Sequence, residues 1–134
     1  MKTLNIILMA GLFSFLFGCK AQTKSSETPF QSVSVDRFEQ VIADTLHVVR
    51  LDVRSQQEYA VGHIPQAINI DVLLDDFEQK ALSMLPKDKT IALYCRSGRR
   101  SKKAAEILSK HQYKVVELDA GFNGWTAQSK TTEQ

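Results

Sequence analysis

The chain is poor in cysteine, has no excess of charge of one sign and lacks an apolar run long enough to span a membrane. Its 134 residues include two cysteines and carry a formal net charge of +2. So small a charge gives no indication of a nucleic-acid partner. The apolar stretch at residues 4–17 is shorter than the ~20 residues that a transmembrane helix needs. The three histidines are scattered, so we expect neither a metal site nor a bound cofactor.

The N-terminus has the pattern of an export signal. Lys2 precedes the apolar stretch, which ends in Leu16-Phe17-Gly18-Cys19 and there resembles a bacterial lipobox. We expect residues 1–18 to be a lipoprotein signal peptide and Cys19 to carry a lipid that attaches the protein to a membrane. Because no acidic residue follows Cys19 directly, we expect a cell-envelope protein on the outer membrane, facing the periplasm. Ordinary signal cleavage and an uncleaved anchor are the alternatives.

One folded domain is expected after the signal. Residues 19–31 are rich in Lys, Ser, Thr and Gln, and we predict that they form a lipidated, flexible tether. The domain is predicted over residues 32–128, followed by a C-terminal tail at 129–134. A domain of this length buries about two-thirds of its unfolded surface and needs no disulfide. We expect it to be a monomer.

Strand and helix patterns alternate along the domain. Apolar and β-branched runs predict strands at 33–35, 47–53, 90–94 and 114–118, with a short extended piece at 68–70. Helices are predicted after the capping pairs Asp36/Glu39 and Ser55/Glu58, over 73–85 and after residue 101. The expected fold class is α/β, a three-layer α/β/α arrangement around a central, mostly parallel sheet. Ligands of such folds bind at the carboxyl ends of the strands, where Cys95 falls.

The segment Cys95-Arg96-Ser97-Gly98-Arg99-Arg100-Ser101, called here the Cys95 loop, is the candidate site. Small polar residues let it curl between strand and helix, and Gly98 can adopt a positive φ. We expect backbone N–H groups to surround the sulfur. These groups, the positive end of the following helix and three arginines favour thiolate over thiol. A lone thiol in an exported protein is a candidate reactive group; the alternative is a buried, inert cysteine.

The ordered motifs of the chain resemble those of a rhodanese domain, from about residue 33 to 127. They are Leu51-Asp52-Val53-Arg54, Glu58-Tyr59, Gly62-His63-Ile64-Pro65-Gln66-Ala67, Asn69-Ile70, Tyr94 with the Cys95 loop, and Ala120-Gly121-Phe122-Asn123-Gly124-Trp125. Two residues depart from the family pattern, since glycine is common where Gln66 and Ala120 stand. Both departures lie outside the Cys95 loop and bear on local packing.

The resemblance implies a sulfurtransferase with Cys95 as nucleophile. A small-molecule sulfur donor such as thiosulfate would load a persulfide on Cys95, and a thiol or cyanide acceptor would remove it. The loop residues Arg96, Ser97, Gly98, Arg99, Arg100 and Ser101 are the candidate substrate-binding residues. Asp52 and Arg54 match supporting family positions and could form an ion pair or be surface charges. His63 is expected to be hydrogen-bonded in a turn, with an acid–base role as the alternative.

Three other functions compete with this one. Phosphatases and arsenate reductases that share the fold carry a Cys-x5-Arg loop, one residue longer, whereas here Ser101 holds the sixth position after Cys95 and the arginine falls at Arg100. A non-enzymatic binding module usually lacks the cysteine. A thiol redox protein or persulfide carrier would share the persulfide and differ only in passing it to another protein.

Overall fold

A computed structural model of the chain describes Gly18 and residues 28–134. Residues 1–17 and 19–27 lie outside the described part, and with them nearly all of the predicted signal peptide, Cys19 and most of the tether. Within the described part, no helix is both long and apolar enough to cross a membrane. Gln31 already belongs to the first strand, and Phe30 packs in the core. The last residues of the predicted tether are therefore part of the folded domain.

A five-stranded sheet forms the centre of the molecule. Its strands are β1 Gln31–Val33, β2 Val48–Asp52, β3 Ile68–Asn69, β4 Thr90–Tyr94 and β5 Val115–Leu118. The helices are α1 Val35–Ile42, α2 Gln56–Val61, α3 Phe77–Met84, α4 Arg99–Lys110 and α5 Gly121–Ala127. Every strand pair is parallel, in the order β1-β5-β4-β2-β3. The predicted fold class, α/β with a central parallel sheet between helices, is confirmed.

The two faces of the sheet carry separate cores. Along β4, Ile91 and Leu93 pack on the side of α3 and α4, while Ala92 and Tyr94 pack on the side of α1 and α5. This alternation follows from the two-residue period of a strand. Cys95 continues the first series and emerges beneath the N-terminus of α4. The sheet thereby fixes on which face the sulfur lies.

Several local predictions need correction. The first strand ends at Val33 rather than at residue 35, because Ser34 caps α1 by accepting a hydrogen bond from the Arg37 N–H. Asp36 therefore lies in the first turn of α1 and is not its cap. The helix predicted over 73–85 begins only at Phe77, and residues 73–74 stand exposed in the preceding turn. Helix α5 was not predicted, since glycines at 121 and 124 weaken its helical pattern.

Helix α2 follows its sequence prediction. The Ser55 hydroxyl accepts from the Glu58 N–H, and the Glu58 carboxylate accepts from the Ser55 N–H, which forms a capping box. Gly62 ends the helix, as predicted. The box holds Glu58 beside the Cys95 loop, with its carboxylate turned towards α4.

Candidate active site

Cys95 lies directly after β4, at the carboxyl end of the sheet. Its side chain is 1% exposed, and its sulfur accepts a hydrogen bond from the Gly98 N–H at 3.2 Å. Gly98 has φ +97°, a conformation that L side chains rarely adopt. A Cβ at position 98 would also overlap the carbonyl oxygen of Asp119. Only glycine fits where the loop turns its N–H to the sulfur.

Opposing effects set the pKa of the Cys95 thiol. Burial acts to raise the pKa, because it disfavours the charged thiolate. Hydrogen bonds from the Ser101 side chain and from the backbone of Ser101, Ser97 and Gly98 outweigh burial and hold the pKa below its ordinary value. The loop thus favours the nucleophilic form of a nearly inaccessible sulfur.

Helix α5 fixes the Cys95 loop from the other side. The Phe122 N–H donates to the Cys95 carbonyl at 2.8 Å, and the Asn123 N–H donates to the Arg96 carbonyl at 3.0 Å. Gly121 has φ +62°, and a Cβ there would overlap the Arg96 backbone. Sequence reasoning gave this segment no role in the site. The feature of the sequence that could have indicated this role is the small-residue pair Ala120-Gly121, which allows the backbone of this segment to approach the backbone of Arg96 closely.

The three arginines of the loop have different surroundings. Arg100 points to α2 and makes two hydrogen bonds to the Glu58 carboxylate, at 2.8 and 2.9 Å. This guanidinium, together with hydrogen bonds from Ser55, lowers the pKa of Glu58 to about 2, although partial burial acts to raise that pKa. Arg96 and Arg99 are exposed. Arg100 therefore organises the loop, while the other two remain available to an anion in solvent.

Asp52 and Arg54 form a buried ion pair, with Arg54 Nη2 to Asp52 Oδ2 at 2.7 Å. The alternative of surface charges is wrong for this pair. The Arg54 guanidinium also donates a hydrogen bond to the Gly62 carbonyl oxygen at 2.7 Å. Its Cζ lies over the Phe122 ring, 4.1 Å from the ring centroid. The Tyr94 hydroxyl donates to Asp52, and burial together with the Asp52 charge raises the Tyr94 pKa. The pair braces α2 and α5, the two helices that hold the Cys95 loop.

A cavity of about 440 Å³ opens beside the loop. Its lining includes the cationic Arg54 and Arg96 and the acidic Glu58, together with Phe122 and Asn123 of α5. Thr132 of the C-terminal segment closes one side. Arg54 is already paired with Asp52, so Arg96 is the exposed cation that this cavity offers to a small anion, beside the aromatic wall of Phe122.

His63 lies between the end of α2 and the turn at residues 64–67. Its Nδ1 lies 2.9 Å from the Tyr59 carbonyl oxygen, and its ring stacks on the Tyr59 ring at a centroid distance of 3.7 Å. The backbone of His63 pairs with that of Glu133, so part of the predicted tail at 129–134 lies against the domain. His63 is hydrogen-bonded, as expected, but it precedes the turn and does not belong to it.

Sequence reasoning missed a second buried acid, Glu117. It lies on β5, fully buried, and accepts a hydrogen bond from the Ser101 hydroxyl at 2.6 Å. Ser101 Oγ in turn lies 3.4 Å from the Cys95 sulfur. The available signal was a charged residue inside an otherwise apolar strand, at a position that shares a face with Val115.

In the described part of the chain, no group of three or more His, Cys, Asp or Glu side chains is placed to hold a metal ion.

Comparison with known proteins identifies the family of the chain. The model of the rhodanese-like domain family matches residues 34–128, and the chain belongs to that family. It is 34% identical over 94 residues to a sulfurtransferase of Allochromatium vinosum, covering 69% of this chain and 85% of that protein. It is 30% identical over 122 residues to the thiosulfate:glutathione sulfurtransferase of Saccharomyces cerevisiae, covering 82% and 87%. At the family level the chain is therefore of the rhodanese sulfurtransferase type.

Solved structures give the same fold. A rhodanese-related protein from Thermoplasma volcanium aligns with a TM-score of 0.66 and 26% identity, over 78% of this chain and 98% of that one.

The two departures from the family pattern have local consequences. Gln66 adopts φ 64°, the left-handed region that favours glycine. Ala120 is accommodated by Gly124, where a Cβ would overlap the Ala120 methyl group.

Proposed function

We propose that this protein is a thiosulfate sulfurtransferase-like enzyme that works through a persulfide on Cys95. The observation that carries the proposal is the setting of the sulfur. The Cys95 sulfur accepts a hydrogen bond from the Gly98 N–H at 3.2 Å, and the hydrogen bonds of the loop lower the pKa of the Cys95 thiol. A group of N–H donors that favours a thiolate also suits the anionic outer sulfur of a persulfide.

The reaction would run in two transfers. The Cys95 thiolate attacks the outer sulfur of thiosulfate, a new S–S bond forms, and the donor's S–S bond breaks with its electron pair leaving on sulfite. A thiolate or cyanide then attacks the outer sulfur of the persulfide and releases Cys95 as thiolate. Neither step needs a general base when nucleophile and acceptor are already ionised. Arg96, exposed at the cavity, would attract the dianionic donor.

A phosphatase is the less favoured reading of the same loop. Wrapping a tetrahedral oxyanion would call for an arginine at the sixth position after the cysteine, where Ser101 lies fully buried. Arg100, one position earlier, is directed to Glu58. A persulfide carrier that serves a partner protein, and a binding module without turnover, are distinguished from an enzyme by the experiment below.

The test is to mix the full chain with thiosulfate and to follow the peptide that contains Cys95 by mass spectrometry. We expect a gain of one sulfur atom, absent in Cys95→Ser, and its loss on adding cyanide or glutathione together with thiocyanate or glutathione persulfide formation. A persulfide that small acceptors fail to discharge would indicate a carrier. No sulfur gain, or undiminished product formation by Cys95→Ser, would refute the mechanism.

We also propose that the protein is anchored by a lipid on Cys19, on the periplasmic side of the outer membrane. The Leu16-Phe17-Gly18-Cys19 sequence after an apolar stretch supports the lipid anchor, and the lack of an acidic residue directly after Cys19 supports the outer membrane. In a bacterial host, Cys19→Ser should move the protein from the membrane fraction to the soluble fraction with its fold intact. Continued membrane association, with no lipid on the parent protein, would contradict the anchor.

A further inference from the structure

Glu117 is a buried acid outside the sulfur-transfer steps described above. It lies on β5, contacts Ser101 of α4, and accepts a hydrogen bond on each of its carboxylate oxygens. Oε1 accepts from Ser101 at 2.6 Å, and Oε2 accepts from the Ser32 hydroxyl of β1 at 2.5 Å. The Lys102 Nζ lies 3.4 Å from Oε1 and places a positive charge next to the carboxylate.

Ser101 connects this carboxylate to the nucleophile. With Cys95 as a thiol, the S–H donates to Ser101 Oγ at 3.4 Å, and the Ser101 hydroxyl donates to Glu117. A hydroxyl has one proton to donate. When Cys95 loses its proton, the thiolate and the carboxylate compete for that single donor. If Ser101 turns to the thiolate, Oε1 of Glu117 still faces the Lys102 ammonium group.

We propose that Glu117 is a positioning residue that controls the ionisation of Cys95 through the Ser101 hydroxyl. By holding the Ser101 proton, and by its own negative charge, Glu117 makes the thiolate more basic than the loop alone would make it. A more basic thiolate is a stronger nucleophile towards the donor and a slower leaving group from the persulfide. At a pH where Cys95 is ionised, Glu117 would thus speed the loading of Cys95 and slow its discharge, an effect that deepens the proposed function and rests on it.

The other charged residues around the Cys95–Ser101–Glu117 hydrogen bonds must be left unchanged in any test. Arg100 of α4 acts on Cys95 by its charge and is itself paired with Glu58 of α2. On the Glu117 side, Lys102 of α4 also contacts the exposed Asp119 at 2.8 Å, just after β5. None of these residues is altered in the variants below, and all measurements use one ionic strength.

The experiment measures the pH dependence of Cys95 alkylation by iodoacetamide, read as mass on the Cys95 peptide of the full chain. This readout does not require sulfur transfer, so it separates failure of this proposal from failure of the proposed function. Glu117→Gln removes the charge and supplies an amide N–H that can donate to Ser101. We expect the alkylation midpoint to fall by about one pH unit. Ser101→Ala removes a donor to the thiolate and should raise the midpoint.

The decisive measurement is the double variant. If Glu117 acts through Ser101, Glu117→Gln should shift the midpoint by half as much or less once Ser101 is alanine. Ser32→Ala is the matched control, because it removes the hydroxyl on the other carboxylate oxygen and should leave the midpoint nearly unchanged. Circular dichroism and thermal melting establish that each variant is folded. An unchanged or raised midpoint in folded Glu117→Gln, or an equal shift with and without Ser101, would overturn the proposal.

Discussion

Arg100 and Glu58 form a two-point ion pair between the first turn of α4 and the N-terminus of α2. Nη1 lies 2.8 Å from Oε2 and Nη2 lies 2.9 Å from Oε1, the fork geometry in which arginine binds a carboxylate best. The pair is partly shielded from solvent. It ties the Cys95 loop to a helix that belongs to a different βα unit, so it holds the loop from outside its own segment.

This ion pair predicts a pH-dependent contribution to stability. The pKa of Glu58 falls from 4.5 to about 2, chiefly through Arg100. A carboxylate with a depressed pKa stabilises the folded state fully above its unfolded pKa, and the contribution disappears as pH falls from 4.5 towards about 2. Glu58→Gln should therefore lower the free energy of unfolding by about 1–2 kcal/mol at neutral pH, after allowing for solvent screening.

Urea unfolding of parent and variant at neutral pH and near the lower end of this window tests the prediction. The difference between Glu58→Gln and the parent should shrink as the medium becomes more acidic. Glu106→Gln, at an exposed position of α4, is the control and should change stability little at either pH. A difference that stayed constant with pH would mean that Glu58 acts by packing and not by charge.

The sequence allowed the parts of the site that are contiguous in the chain to be predicted. An apolar run placed β4 at residues 90–94, and Gly98 next to it gave the left-handed turn of the loop. Partners from distant segments were missed. The capping-box pattern explained Glu58 fully, so nothing in it indicated a second partner at Arg100. The direction of Glu117 depended on the register of β5 against its neighbours, which a local pattern does not give.

Arg96 should contribute to donor binding more than Arg99 does. Both are exposed, but Arg96 lines the cavity that opens beside the Cys95 loop, whereas Arg99 does not. Removing one charge near a dianion in a partly solvated site costs about 1 kcal/mol, which corresponds to a KM for thiosulfate raised about threefold to tenfold in Arg96→Gln. Arg99→Gln is the matched comparison and should change KM less. Steady-state kinetics at low and high salt check this, and an equal effect of both variants would count against the cavity as the donor site.

Gly121→Ala should disrupt the site without touching Cys95. The substitution forces a side chain into a left-handed φ of 62° and against the Arg96 backbone. We expect a loss of about 2 kcal/mol in stability and a strong reduction of Cys95 alkylation at neutral pH in the protein that remains folded. Gly62→Ala is the stability control, because its backbone is extended and its nearest neighbour is 3.8 Å away. Comparable destabilisation by both variants would remove the special role of position 121.

Gln66→Gly should stabilise the protein. Gln66 holds φ 64°, where a side chain costs roughly 1–2 kcal/mol, while glycine loses about 0.5–1 kcal/mol more backbone entropy on folding. Its backbone N–H donates to Glu133 at 2.7 Å, and that bond survives the substitution. We expect a net gain of about 0.5–1 kcal/mol in the free energy of unfolding, measured with urea. Gln57→Gly, on an exposed position of α2 with ordinary helical geometry, is the matched control and should lose about 1 kcal/mol. Opposite signs for the two variants follow only if Gln66 is strained; a loss at both positions would show that its left-handed conformation carries no cost.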